Sequence, residues 1–473
     1  MSDAAPDVPS ELAEQPIVRR TNGGYAYYVF WVMFGVNFLN YLDRYVLTGA
    51  ANVMAGELHF DLSGIGYITS AFLIVYTLCA LPMGIWADRA RRKDIVALSV
   101  AVWSVTTALT TLATNFWTLF LSRMILGVGE AGYYPAGTAL LSDYFNRARR
   151  SRIMSWWGCA QLVGILGGYG IGGTLAGLYP GGWRLAFLLT GIPGLVLAFL
   201  MWRVREPRRN QADEEENSEA EALASAQEAT HMVVVPQRVL SQFWTLLRIR
   251  SLFVLIVMQV FAFFVLGVNT TFLPTYLQQK DTFGLSSTNA GLYSGGVIVV
   301  AGIAGTILGG YLADILNRRH PGARVLVCGI GFLLSAPAFA LAVTTRDLLT
   351  FTLFFVLTAL LLSIYLGPST AATQDVVPSA LRASAVSLTM LIAHLLGDAF
   401  APSIVGVIAT SFDPTHGGHF AAGYAGQDLN LALLFTCTPA LLVAGLIGIF
   451  GARWMATDIL AAEQADKRAG MAP

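Results

Sequence analysis

Gly84-Ile85-Trp86-Ala87-Asp88-Arg89-Ala90-Arg91-Arg92-Lys93 and Gly310-Tyr311-Leu312-Ala313-Asp314-Ile315-Leu316-Asn317-Arg318-Arg319 are two copies of one pattern, their aspartates 226 residues apart. Each closes a long apolar run with an acidic residue and then a basic cluster. The same offset carries the apolar run that begins near residue 251 back to about residue 25, where the first such run starts. Two landmarks at one spacing point to an internal duplication.

The chain around these copies is apolar. Of 473 residues 55% are hydrophobic and 12% charged, and the mean hydropathy is +0.61. Soluble domains carry roughly a quarter charged residues, so most of this surface faces something other than water. A bilayer core takes about 20 apolar residues per helix. Such runs lie near 26–50, 64–87, 95–114, 117–141, 153–177 and 184–202, then near 251–278, 288–314, 324–344, 349–373, 383–410 and 428–452. The run at 153–177 is Gly-rich and the least apolar. The spacing predicts an all-α membrane protein with twelve transmembrane helices in two pseudo-symmetric six-helix bundles. These are an N-terminal bundle over 25–204 and a C-terminal bundle over 251–454. An acidic, Ala/Glu-rich linker over 205–250 joins them, and 1–24 and 455–473 read as cytosolic tails.

Basic residues set the orientation. With both termini cytosolic, 24 of the 29 Lys and Arg fall on the inside, three outside (Arg184, Lys280, Arg346) and two, Arg44 and Arg123, within the membrane. The first 24 residues hold Asp3, Asp7, Glu11 and Glu14 and lack the basic start and apolar core of a cleaved signal peptide. This reading places the chain in the plasma membrane, or the inner membrane of a bacterium, as a multi-pass protein. Cys79, Cys159, Cys328 and Cys437 lie singly in apolar runs without metal-ligand spacing and read as small buried hydrophobes.

The Gly-x-x-x-Asp-Arg-x-x-Arg-Arg element after the second run, with its weaker copy after the eighth, resembles the signature of the major facilitator superfamily. That resemblance spans nearly the whole chain. It implies two bundles around a central cavity, each built of inverted three-helix repeats. It also implies a cytosolic gate at Gly84, Asp88, Arg89, Arg92 and Asp314.

Ionisable groups at membrane depth are expensive and mark function. Six stand out: Asp43 and Arg44 in span 1, Arg123 and Glu130 in span 4, and His394 and Asp398 in span 11. Asn37, Asn40 and Arg44 share one helical face, as do Arg123, Gly127, Glu130 and Tyr134. Two polar stripes imply a shared wet interior. Arg123 and Glu130 stand about 10 Å apart along one axis, so each is expected to seek a partner on span 1: Asp43 with Arg123, Arg44 with Glu130. A carboxylate beside an arginine takes up a proton when the arginine is drawn away. The four are therefore candidates for proton coupling, the alternative being a fixed ion-pair network that locks spans 1 and 4. Glycines in span 5 and at Gly291, Gly295, Gly305 and Gly309 of span 8 suit close helix contacts, either between sliding bundles or in tight static packing.

Asn40-Tyr41-Leu42-Asp43-Arg44 with Arg123-Met124-Ile125-Leu126-Gly127-Val128-Gly129-Glu130-Ala131 resembles both Spinster-like lipid transporters and organic anion:cation symporters. His394-Leu395-Leu396-Gly397-Asp398-Ala399-Phe400-Ala401-Pro402 resembles the Spinster-like group more specifically. The resemblance implies alternating-access, proton-coupled movement of lysolipids or sphingoid phosphates. The competing expectation is a porter of small organic anions or drugs on the same scaffold. Spans 7 and 10 carry no Lys, Arg or His at membrane depth and offer Phe261, Phe263, Phe264, Asn269, Phe272, Tyr276 and Tyr365. An arginine cluster facing such a wall suits a charged head and an acyl tail. Arg44, Asn40, Arg123, Tyr134, Asn269, Tyr365, His394 and Asp398 are the candidate substrate-binding residues. His394 and Asp398, one turn apart, read equally as a polar clasp that orients span 11. No nucleophile constellation, His/Cys cluster or phosphate loop appears, so no enzyme is expected. Nor is any cofactor beyond a proton gradient. The expected partners are the bilayer, an amphipathic substrate and protons, without nucleic acid, around a monomer.

Overall fold

The computed structural model describes residues 23–145, 147–207, 244–415 and 417–468. They form twelve spans. The first six are Gly23–Leu58, Leu62–Arg89, Arg92–Thr110, Phe116–Ala131 continued by Tyr133–Tyr144, Arg147–Leu178 and Gly182–Arg203. The second six are Arg250–Gln278, Ser287–Asn317, Ala323–Thr344, Leu348–Ser363 continued by Leu366–Asp375, Arg382–Phe412 and Gly426–Arg468. Ten are long and apolar enough to cross a membrane on those criteria alone. The two outside that ten are spans 1 and 4, which carry Asp43, Arg44, Arg123 and Glu130.

An even number of spans puts both described ends on one face, called here the terminal face. Four helices that start on the opposite face are capped there by short polar side chains, which satisfy orphan N–H groups. Asp61 accepts from Gly64 N, Asn115 forms a reciprocal capping box with Thr118, Ser286 accepts from Asn289 N and Asp347 from Thr350 N. Span 3 starts on the terminal face and is capped from a distance: Glu206 accepts from the backbone N–H of Arg92 and of Lys93 at 2.8 and 3.0 Å. The last helix continues past residue 454 to Arg468, so the expected tail over 455–473 is helical through that point. Asp458 accepts from Ser251 N and Asp466 from Ser379 N. The expected tail over 1–24 and most of the 205–250 linker lie outside the described residues. Cys328 and Cys437 are buried and Cys79 is half-buried. Cys159 is exposed, which corrects the expectation of four buried thiols. In an apolar solvent a small apolar side chain gains little from burial in protein.

Span 5 is the wedge of the fold, and its glycines serve two faces. Gly164, Gly168 and Gly172 sit against the backbone of span 1 at Phe38, Leu42 and Val46. Gly173 meets the carbonyl of Ser287 in span 8, and Gly291 of span 8 meets that of Tyr169. Gly305 and Gly309, lower in span 8, pack instead on span 10. The glycine stripes thus serve both static packing and the contact between halves.

The halves meet in the part of the molecule nearer the opposite face. Gly66 of span 2 lies under the carbonyl of Pro402, and Gly406 under that of Leu62. Ser403 N donates to Ser70 Oγ at 3.1 Å. Tyr169 donates its hydroxyl to the Thr270 carbonyl at 2.5 Å. Asn52 and Gln278, 226 positions apart and so equivalent in the repeat, share an amide hydrogen bond at 3.3 Å. Toward the terminal face an added Cβ at Gly158 would meet open space, and one at Gly84 only Pro135 of its own half. The named contacts between the halves thus gather toward the opposite face.

Candidate functional site

Adjacent helical residues point about 100° apart, and this decides the fate of Asp43 and Arg44. Arg44 turns toward span 4, where its Nε meets Glu130 Oε2 at 2.6 Å. Its guanidinium lies over the rings of Tyr76, Tyr41 and Phe72, at 4.5, 5.2 and 5.2 Å from their centroids. Arg44 keeps 18% side-chain exposure, whereas Glu130 has none. Asn40, one turn away on the same face, is buried beside Glu130. Its side-chain amide is the neutral donor nearest the Glu130 carboxylate.

Asp43 turns into the bundle instead. Its Oδ1 accepts from Thr190 Oγ1 at 2.7 Å and its Oδ2 from Thr107 Oγ1. Arg123 donates to Thr110 Oγ1 at 3.3 Å and lies 4.8 Å over the ring of Phe187. The expected Asp43–Arg123 ion pair is therefore absent. Each group is held by a threonine of span 3, one turn apart, and by span 6. The shared wet interior needs the same correction. Asp43, Arg123 and Glu130 are 0–2% exposed, and of the four only Arg44 keeps partial exposure. Thr107, Thr110, Thr190 and the three rings around Arg44 went unread in the sequence, because isolated threonines and aromatics in apolar runs carry no pattern.

Tyr134 lies past a break at Gly132 that interrupts the helical stripe. It is 47% exposed and stacks on Trp157 with ring centroids 5.2 Å apart. In the second half, Phe272 and Tyr276 are buried in the bundle core, so the expected aromatic wall is narrower. Asn269 is half-buried and turns its amide onto the Val265 carbonyl. Tyr365 is buried beside Phe263 and Phe332, its hydroxyl unpartnered. His394 Nδ1 meets Asp398 Oδ2 at 2.9 Å, and both residues belong to a π-helical turn, His394–Asp398, inside span 11. Such turns insert a residue into the helix and recur at functional sites.

Among the described gate residues, the printed ion pairs lie within single halves. Arg92 pairs with Asp143 inside the first half, and Arg324 with Asp375 inside the second. Both pairs are 51 residues apart in sequence. Asp314 stands 3.4 Å from Arg324 and is largely exposed. Arg89 is exposed, and the Asp88 side chain lies outside the described residues.

Two bundles of six spans, packed on each other toward one face and with membrane-depth arginines in the first, are the architecture of a transporter. The Major Facilitator Superfamily model matches residues 33–402, and the chain belongs to that superfamily. It is a transporter rather than an enzyme. Within the superfamily it resembles the Spinster-like group. Protein spinster homolog 1 of Xenopus tropicalis is 26% identical over 453 residues, covering 93% of this chain and 81% of that protein. Sphingosine-1-phosphate transporter SPNS2 of Danio rerio is 26% identical over 448 residues, covering 92% and 84%. The fold matches a crystal structure of a bacterial homolog to human lysosomal transporter Spinster, inward-facing and unoccupied. That match has a TM-score of 0.79 and 23% identity, with 92% and 98% of the two chains covered.

Proposed function

We propose that the protein is a proton-coupled, alternating-access transporter of an amphipathic, lysolipid-like substrate, with the terminal face cytosolic. The observation that carries this reading is the Arg44–Glu130 pair, a partly exposed guanidinium tied to a carboxylate without exposure. Arg44 has two possible anionic partners, Glu130 and a substrate head group. Protonation of Glu130 removes the first and frees the guanidinium for the second. The proton and the substrate thereby become linked through one side chain. Asp43, with hydroxyl donors and no direct cation, is a second carboxylate able to hold a proton inside the bundle.

The substrate class follows from the asymmetry of the halves and from the relatives. Spans 7 and 10 offer apolar and aromatic surface without membrane-depth cations, which suits a chain rather than a second anionic group. One relative is named as a sphingosine-1-phosphate transporter. The test is uptake into proteoliposomes under an imposed pH gradient. Unchanged uptake in both Glu130→Gln and Asp43→Asn would sink the coupling. A thermal-shift series against lysolipids, carboxylates and cationic drugs tests the substrate class, and stabilisation by carboxylates alone would sink the lipid reading.

A further inference from the structure

The loop between spans 11 and 12, on the opposite face, holds an imidazole between two carboxylates. His419 Nδ1 lies 3.0 Å from Asp428 Oδ2 and 3.5 Å from Asp413 Oδ1. A ring nitrogen and one oxygen of each acid fall within 4.8 Å of one another. Asp413 and Asp428 are 4% and 5% exposed, while His419 is partly exposed. Phe420, the next residue of the short helix Gly418–Ala422, is buried in the second-half core and anchors the loop.

Two carboxylates this close and out of water repel unless a cation lies between them. A proton on His419 supplies one. A metal ion is served worse, because both Asp413 oxygens are occupied: Oδ1 accepts from Thr415 N and Oγ1, and Oδ2 from the N–H groups of Gly417 and His419. Lys280, Asp281 and Asp61 also pack on the loop. Lys280 Nζ donates to the Ala422 carbonyl at 3.0 Å, and Asp281 accepts from Gly426 N and Gln427 N.

The loop reaches the first half by two routes. Gly417, at φ +105°, lies against the turn between spans 1 and 2, where an added Cβ would stand 3.4 Å from Asp61 Cβ. Ala425 N donates to Gln279 Oε1 at 3.1 Å, and Gln279 Nε2 donates to Asn52 Oδ1 of span 1 at 3.4 Å. Both routes lie on the face where the contacts between halves gather.

We propose that His419, Asp413 and Asp428 form a proton-operated latch on the opposite face. With His419 charged, the loop is drawn tight and holds the halves together there. With His419 neutral, the carboxylates repel, the loop loosens and that face is freed to open. The bond to Asp428 raises His419 above the ordinary imidazole value, so the charge is held at lower pH and lost as pH rises through the folded value. The latch rests on alternating access and on no particular substrate, and its proton is distinct from any held by Glu130 or Asp43.

The experiment places spin labels at Thr114→Cys in the first half and Leu349→Cys in the second, both exposed positions near the opposite face. The four native cysteines are replaced by alanine, and the label separation is read by pulsed dipolar spectroscopy on the full-length protein in nanodiscs. The expected result is a longer-distance component that grows about fivefold or more between about pH 6 and about pH 9. In His419→Gln that component is expected at both pH values, and in His419→Lys, which keeps a cation, at neither. Asn52→Ala, which cuts one route without touching the cluster, is expected to shrink the pH response and serves if His419→Gln does not yield monodisperse protein. A wild-type separation that ignores pH, or an equal response in His419→Gln, overturns the latch and leaves the transporter reading in place. A single separation in every variant at every pH overturns the alternating-access premise as well. Opening at about pH 6 on addition of EDTA alone overturns the latch in favour of a bound metal ion.

Discussion

Arg44 and Glu130 meet at 2.6 Å between spans 1 and 4, while Asp43, the next residue along the chain, turns away from both. This single divergence separates a partly exposed group from one sealed in the bundle. It makes the two carboxylates experimentally distinguishable.

For the exposed-side pair, Glu130→Gln leaves Arg44 without its counter-charge. Removing one partner of a buried pair costs about 3–5 kcal/mol, and the partial exposure of Arg44 places the expected loss near the lower end. The apparent melting temperature should fall. The double variant Arg44→Gln/Glu130→Gln should recover most of that loss without recovering gradient-driven uptake. Size-exclusion thermal profiles and proteoliposome uptake check the two halves of this prediction, and full additivity of the single variants would count against direct coupling.

For the sealed carboxylate, Thr107→Val removes a hydroxyl that donates to Asp43 without changing volume much. An unmade hydrogen bond to a buried charge costs about 1.5–3 kcal/mol. The expected outcome is a shifted pH profile of transport with little change in substrate affinity. An unaltered pH profile would assign Thr107 a packing role only.

Closure of the opposite face depends on backbone contact at Gly66. A Cβ there collides with the Pro402 carbonyl, and overpacking of this kind costs about 1–3 kcal/mol. Gly66→Ala should therefore disfavour the closed face by a factor of about 5–150. A cysteine introduced at Ser70 should become more reactive to an impermeant thiol reagent applied from that face. Reduced or equal labelling contradicts the assignment of this contact as a closure.

The loop between spans 11 and 12 has its own pH dependence. Burial raises the Asp413 carboxyl, but hydrogen bonds from Thr415 Oγ1 and from the N–H groups of Thr415, Gly417 and His419 outweigh it and hold the pKa at about 2. The Asp428 carboxylate bonded to Nδ1 raises His419 above the ordinary imidazole value. A lowered acid stabilises above the unfolded value near 3.8 and loses that contribution as pH falls toward 2. A raised imidazole stabilises fully below about 6.5 and loses its contribution as pH rises through the folded value. His419→Gln should thus lower thermal stability at pH 6 and be near neutral at pH 9. Melting curves across that range provide the measurement, and a pH-independent difference would contradict it.

The architecture was legible because hydropathy acts over whole helices, and the paired loop motifs exposed the duplication. The site was legible in part. Helical spacing put Arg44 and Glu130 within reach, and they meet. The same spacing could not show that Asp43 and Arg44, side by side in sequence, must face different neighbours once span 1 is packed. Nor did it show that threonines of span 3 stand where an ion pair was expected. The His394–Asp398 contact followed from their i, i+4 spacing, but the π turn that carries it has no signature in composition.

The Arg92–Asp143 and Arg324–Asp375 pairs, equal in their 51-residue separation, give the chain an internal control. A charge reversal at either pair perturbs the same joint in one half while its twin stays intact. A defect common to both reports on assembly in the bilayer. A defect found only in the first half reports on the work that half performs. The twin joint thus serves as a reference for its counterpart within one polypeptide.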